Sequence, residues 1–138
     1  MSYSTLQSAV VAKLQTVSEL ANVFASHREN PTGFPSASCE PSSHENVIYT
    51  NTDNLRSYIF DVIIYQEFST ISRDEAVQIL AKATDAVITA FDTDYNLGGA
   101  CDFCLALPGA WGFFESGNAN VIYAQLTLTC KKEVTVYP

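Results

Sequence analysis

Residues 72–99 read SRDEAVQILAKATDAVITAFDTDYNLGG, and they predict a helix that begins and ends within this stretch. Ser72 and Glu75 have the spacing of a capping box, in which the serine oxygen accepts a hydrogen bond from the backbone N–H of the glutamate. The polar residues near Asp92 and the Gly98-Gly99 pair then end the helix and turn the chain. Apolar residues recur at helical spacing and predict one core-facing side: Ala76, Leu80, Ala83, Val87 and Ala90.

After this turn the sequence predicts a short strand, an aromatic loop and a long terminal strand. Ala100 to Leu107 is apolar, and Pro108-Gly109 is expected to end it. Trp111-Gly112-Phe113-Phe114 follows, and we expect it to form a loop before Gly117. From Val121 to Val136 apolar and polar residues alternate, which predicts a strand with one buried face.

The first half of the chain predicts a helix, several strands and a long loop. Leu6, Val10 and Leu14 have helical spacing, and Asn22 to Ser26 reads as a short strand. The segment from His27 to Asn46 is rich in proline and serine, so we expect irregular structure interrupted only by a short edge strand around Ser36 to Glu40.

A hairpin is expected next. Val47 to Thr50 forms one strand, Asn51 to Asn54 the turn, and Leu55 to Phe68 a long second strand. That strand alternates: its core face carries Tyr58, Phe60, Val62, Ile64 and Phe68, and its other face is mixed, as a strand facing a partner would be. We therefore predict a single α+β domain over residues 1–138, with two helices packed on a mostly antiparallel sheet and with long loops.

Charge and hydropathy exclude two classes of function. The net charge is −8, from 15 acidic against 7 scattered basic residues, and such a surface repels duplex DNA. No apolar run approaches the ~20 residues of a membrane-spanning helix, and the N-terminus lacks a basic segment followed by an apolar one. We expect neither nucleic-acid recognition, nor a membrane partner, nor an export signal.

The chain resembles the tail terminator family of long-tailed bacteriophages, also described as minor tail protein U-like or tail completion proteins. The similar stretches are Asn54 to Tyr65, which resembles the family's central strand, Ala86 to Asp92, the turn at Leu97-Gly98-Gly99, and the closing strand Ala124 to Cys130. The chain departs from the family in the loop from Arg28 to Asn46 and in the aromatic segment after Pro108.

This resemblance implies a non-enzymatic structural protein of the virion. Members assemble as a ring, typically a hexamer, on the last ring of the tail tube protein. They end tube polymerisation and offer the docking surface for the head connector protein. The resemblance thus implies a location at the head–tail junction after assembly in the host cytoplasm, with DNA passing through the ring without specific binding. The alternative is a small monomeric ligand- or peptide-binding α+β domain with the Trp111 segment at the edge of its pocket.

The candidate interface residues are aromatic and basic. Trp111, Phe113 and Phe114 are costly to expose, and large aromatic residues are enriched at interface hot spots. They could equally fold back on the domain's own core, which we favour for one of the phenylalanines. Arg56, Lys131 and Lys132 complete the set, and strand alternation is expected to send the two lysines to opposite faces.

The residues that could support catalysis or metal binding do not form a recognisable pattern. Cys101 and Cys104, with Cys39, Cys130, His27 and His44, supply metal-ligand types. In a strand, however, residues three apart point to opposite faces, so we predict no metal site, no cofactor and reduced thiols. No nucleophile elbow or phosphate loop is present, and Asp61 is interpreted as an outward-facing strand carboxylate, so no catalytic residue is assigned.

Overall fold

Two helices lie on one face of a five-stranded sheet in the computed structural model, which describes residues 3–26, 33–48, 50, 52–116 and 119–135. This confirms the predicted α+β class. His27, Asn51, Gly117 and Val136 lie outside the described residues. The elements are α1 (Tyr3–Gln15), β1 (Asn22–Phe24), β2 (Ser36–Ile48), β3 (Asp53–Glu67), α2 (Arg73–Thr93), a 3-10 turn (Leu97–Gly99), β4 (Phe103–Ser116) and β5 (Ala119–Thr135).

The strands are arranged in the order β1-β2-β3-β5-β4. Only β1 and β2 are parallel, and all other neighbours are antiparallel. β2 is much longer than the predicted edge strand at Ser36 to Glu40, because it continues to Ile48 through a register shift between Pro41 and Ser43. The predicted strand at Ser36 to Glu40 is confirmed, whereas the prediction of irregular structure from Pro41 to Asn46 was wrong. These residues have a low intrinsic preference for strands, but backbone hydrogen bonds to β3 hold them in a strand.

The core lies between the sheet and the helices. The predicted core face of β3 is confirmed, since Phe60, Val62 and Ile64 are almost fully buried. Phe68 is only partly buried and packs at the margin of the core. β5 presents alternate apolar residues to the same side of the sheet. The two helices cover this side and contribute the buried residues Leu6, Val10, Leu14, Ala76, Leu80, Ala83 and Val87.

α2 begins and ends at the features that its sequence predicted. The Oγ of Ser72 accepts a hydrogen bond from the backbone N–H of Glu75 at 3.1 Å. After Thr93 the chain turns through Gly98 and Gly99, whose φ angles of +68° and +97° favour glycine. The carboxylate of Asp94 accepts from the Gly98 N–H and also pairs with Lys13, which ties α1 to this turn.

β4 is longer than predicted, because it continues past Pro108-Gly109 to Ser116. Pro108 pairs with Leu126 and Trp111 with Ala124, so three steps on β4 oppose two on β5. One extra residue in a strand is a β-bulge, and a bulge tolerates proline, which has no N–H to donate. The prediction that residues 111–114 form a loop was therefore wrong: they lie in a strand.

Removal of the α2 cap should weaken the fold measurably. Ser72→Ala deletes the oxygen that accepts the Glu75 N–H, and loss of such a cap costs about 1 kcal/mol in the free energy of unfolding. Urea denaturation monitored by circular dichroism measures the change. Ser72→Asp keeps an acceptor and should retain stability near that of the wild type; equal stability of Ser72→Ala and the wild type would contradict the capping role.

Candidate functional site

The sheet face opposite the helices exposes a row of large apolar side chains on β4. Cys104 and Ala106 point into the core, so their neighbours Phe103, Leu105 and Leu107 point to the other face. These three residues, which we call the β4 strip, are 46, 48 and 49% exposed. Sequence analysis did not select them, although large residues that alternate with small core residues were a usable signal.

The β4 strip continues sideways across the sheet. Leu105 lies opposite Thr129 on β5, and Thr129 lies opposite Ile59 on β3. Ile59 and Ile63 are partly buried on this face. The Nζ of Lys131 is 5.9 Å from the ring centre of Phe103, a cation–π distance. The result is an apolar surface with Lys131 beside Phe103 and with Asp61 between the two isoleucines.

The bulge reverses the orientation of the aromatic residues that follow it. Trp111 and Phe113 lie opposite Ala124 and Ile122, which point towards the helices, and they are 44% and 66% exposed. The guanidinium of Arg73, at the start of α2, lies 5.6 Å from the Phe113 ring centre. The two exposed aromatic side chains are therefore on the opposite face from the β4 strip.

Phe114 is the phenylalanine that packs within the domain. Its ring centre is 6.0 Å from that of Tyr65, in an edge-to-face arrangement, and 6.0 Å from that of Tyr123. A Cβ at position 112 would lie 2.6 Å from the Tyr123 hydroxyl oxygen, so Gly112 leaves room for the Tyr123 side chain. Phe114 is partly buried in this cluster on the helix-free face.

The three candidate basic residues divide between the two faces, as alternation predicted for the lysines. Lys131 contacts Phe103, whereas Lys132 pairs with Asp102 at 3.4 Å. The backbone N–H of Glu133, together with Lys132, holds the pKa of Asp102 below its usual value. Arg56 lies opposite Lys132 in the register, and its Nε donates to Asn46 Oδ1 at 3.4 Å.

The six sequence-predicted residues do not form one site. Trp111 lies opposite Ala124 on β5, and Lys131 lies further along the same strand. Trp111 and Lys131 are therefore separated by about 23 Å along the strand. Asp61 lies on the helix-free face, as predicted, opposite Glu40 and Thr127. Asp61 and Glu40 are two acidic residues side by side on a partly exposed sheet, where water can solvate both. The pair offers no positioned nucleophile.

A surface cavity of about 380 Å³ lies next to Arg56. Its lining includes Tyr3, His44, Asn46 and Tyr58. The ring of Tyr3 makes edge-to-face contacts with His44 and Tyr58, with centroid distances of 5.8 and 4.8 Å. This cavity combines aromatic walls with one guanidinium, and it is remote from Trp111.

Three cysteines converge on the helix side of the sheet. The prediction that Cys101 and Cys104 point to opposite faces was wrong, because Cys101 precedes β4 and lies in the turn. Cys101 belongs to the same buried core as Cys104 and Cys130, and the nearby thiols lower its pKa to about 4. No group of three or more His, Cys, Asp or Glu residues in the described part of the chain is arranged to hold a metal ion.

Among the described residues, neither helix combines the length and the apolar character that crossing a membrane requires. Comparison of the chain with protein-family models and with curated proteins found no match in either case.

The bulge that separates the β4 strip from the aromatic pair should depend on Gly109. A Cβ at this position would lie 2.7 Å from the carbonyl oxygen of Gln125, so Gly109→Ala forces the paired backbones apart. We expect a loss of about 1–3 kcal/mol in the free energy of unfolding, measured by urea denaturation. Ala110→Ser, at the exposed neighbouring position, is the control; a Gly109→Ala protein as stable as this control would show that the approach is not constraining.

Proposed function

We propose that this protein is a phage tail terminator. It is a non-enzymatic structural protein that assembles as a ring of identical copies, typically six, on the end of the tail tube. The ring ends tube polymerisation and provides the docking surface for the head connector, so the protein resides in the virion at the head–tail junction. The proposal rests on the sequence resemblance and on one structural observation, the exposed β4 strip.

The β4 strip supports self-association because three large apolar side chains share one face and one edge of the sheet. Phe103, Leu105 and Leu107 are each about half exposed. A contiguous apolar patch is more often an interaction site than a solvated surface. The adjacent partly buried Ile59 and Ile63 extend the surface that a second copy could cover.

The strand order provides a geometry that suits a ring. β4 lies at one edge of the sheet, and at the other edge β1 covers β2 only from Ser36 to Ser38. Within the described residues no strand pairs with this edge of β2 from Cys39 to Ile48, although Gln7 and Tyr3 of α1 donate to the carbonyls of Cys39 and Ser43. Contact between two different edges of identical copies is heterologous, and a heterologous contact closes into a ring when the rotation permits.

The exposed aromatic pair suits a second, different partner. Trp111 and Phe113 lie on the helix side of the sheet, close to the hairpin that joins β4 and β5. A ring subunit needs lateral contacts with its neighbours and axial contacts with the tube and the connector. We assign the β4 strip to the lateral contact and the aromatic pair to an axial contact.

Assembly should fail when a charge is placed in the β4 strip. Leu105→Glu leaves the core untouched but opposes burial of a leucine, which contributes about 1.5–3 kcal/mol. We therefore expect ring formation on purified tail tubes to weaken roughly tenfold or more. Multi-angle light scattering and co-sedimentation with tubes, over a range of protein concentrations, measure the change.

Thr89→Glu is the matched control for this experiment, because Thr89 is an exposed residue of α2 on the opposite side of the molecule. It adds the same charge without touching the β4 strip and should assemble like the wild type. Wild-type protein that neither forms rings nor binds tubes at any concentration would refute the terminator function. Normal assembly of Leu105→Glu would refute the lateral contact alone.

The aromatic pair should affect tube or connector binding without affecting the lateral contact. Trp111→Ala removes a large half-exposed side chain, and loss of an interface hot spot costs about 2 kcal/mol, or roughly thirtyfold in affinity. Binding of the preassembled ring to tubes and to connectors is measured separately. Unchanged affinity for both partners would exclude Trp111 from the axial contact.

The cavity beside Arg56 favours the alternative, a ligand- or peptide-binding domain. Its aromatic walls and the Arg56 guanidinium suit a small ligand with a single anionic group, since Glu45 in the lining repels further negative charge. This function predicts a monomeric protein that does not bind tail tubes. An Arg56→Ala variant would then lose ligand binding, while the Leu105→Glu variant would keep it.

A further inference from the structure

The cysteine cluster is the strongest concentration of nucleophilic groups outside the proposed contact surfaces. Cys104 on β4 lies directly opposite Cys130 on β5, and Cys101 lies in the preceding turn. All three residues are at most 6% exposed and belong to the same buried core. Cys39 is buried elsewhere on β2, opposite Val62, and serves as an internal reference.

The backbone brings Cys104 and Cys130 close enough to be joined. The N–H of Cys104 points away from β5 and donates to the carbonyl of Tyr95 at 2.6 Å. The two cysteines therefore form a non-hydrogen-bonded pair, in which opposite Cα atoms are about 4.5 Å apart and side chains are closest. This separation lies within the range that a disulfide spans.

The thiols differ in acidity because they lie close together in the core. Proximity to Cys104 and Cys130 lowers the pKa of Cys101 to about 4, whereas Cys101 and burial raise the pKa of Cys104 to about 12. The pKa of Cys130 is also raised. For Cys39, burial alone raises the pKa to about 12. Within the cluster, Cys101 is thus the favoured thiolate, and the thiolate is the form that reacts with oxidants.

We propose that Cys101, Cys104 and Cys130 form a site of reversible thiol oxidation whose product is a Cys104–Cys130 disulfide. The oxidant is a peroxide. This inference goes beyond the proposed function and does not depend on it.

Each step balances. The Cys101 thiolate attacks hydrogen peroxide, so that an S–O bond forms, the O–O bond breaks, and the departing hydroxide takes a proton to become water. The sulfur of Cys104 then displaces the oxygen of the resulting sulfenic acid as a second water. Finally the sulfur of Cys130, whose proton converts the hydroxide of the first step to water, attacks that of Cys104 and releases Cys101 as a thiolate, which is the best leaving group because its pKa is the lowest. In total two thiols and one peroxide give one disulfide and two waters.

The position of the disulfide suggests what it does. It joins β4 to β5 next to the turn where the Cys101 and Cys104 sulfur atoms face the carbonyls of Tyr95 and Asp94, each at 4.0 Å. A bond here constrains the edge strand that carries the β4 strip. Reduced protein would have the freer edge, and oxidised protein the more rigid one.

The test maps disulfides in the folded wild-type chain. Protein is treated with hydrogen peroxide, its remaining thiols are alkylated in denaturant, and non-reducing digests are analysed by mass spectrometry. We expect one disulfide, between Cys104 and Cys130, with Cys101 and Cys39 alkylated, and reversal by dithiothreitol. The oxidised protein should show a Tm higher by roughly 5–15 °C.

Two variants test the route. Cys101→Ser should slow disulfide formation at least roughly tenfold, since it removes the favoured thiolate, whereas Cys39→Ser, the matched control, should leave the rate unchanged. Four thiols that remain alkylatable after excess peroxide would overturn the proposal. So would a disulfide between any other pair, or oxidation that proceeds equally fast in denaturant. The wild-type mapping needs no variant, so a folding defect in a variant cannot decide the outcome.

Discussion

The antiparallel ladder between β3 and β5 determines where every other part of the molecule lies. All residues from Asp53 to Glu67 have partners on β5, which makes this the longest uninterrupted pairing in the described sheet. Because side chains alternate, a slip of one residue would move Phe60 and Val62 from the core to the helix-free face. Ile59 and Ile63 would tolerate such a slip, but Asp61 between them would be buried under the helices without a partner, at considerable cost. We attribute to Asp61 a role in specifying the register.

The bulge in β4 divides one strand into two surfaces of opposite orientation. Before it, large side chains point to the helix-free face, and after it Trp111 and Phe113 point to the helix side. The division depends on Pro108, which cannot donate to the ladder, and on Gly109, whose backbone closely approaches that of β5. A single extra residue thus allows one edge strand to expose apolar groups on both faces of the sheet.

Local sequence patterns predicted the elements whose signals lie within the element itself. α2, β3 and β5 have long periodic runs, and their core faces followed directly from the positions of residues such as Leu80, Phe60 and Leu128. The middle of β2 and the second half of β4 were missed because proline, glycine and serine indicate loops, whereas the hydrogen bonds that make them strands come from partners distant in sequence. The cysteine cluster was missed for the opposite reason: strand alternation was applied to Cys101, which lies just before the strand.

The candidate site was only partly predictable for the same physical reason. Exposed aromatic residues could be found from composition, but whether Trp111 and Lys131 lie together depends on strand register, which separates them. The β4 strip required knowledge of which face the helices leave uncovered.

Charge determines which part of the helix-free face two copies could share. Each copy carries a net charge of −8, and with a Debye length of about 8 Å only charges close to the contact contribute strongly. Asp53 and Glu133 already crowd each other at one end of β3 and β5, where a shared hydrogen bond with Asp53 raises the pKa of Glu133. A second copy placed at that end would add to the repulsion. At the β4 strip, the Nζ of Lys131 lies 5.9 Å from the Phe103 ring centre and attracts an acidic neighbour. Apolar burial and the charge of Lys131 therefore favour the same contact between copies, against the repulsion of their net negative charge.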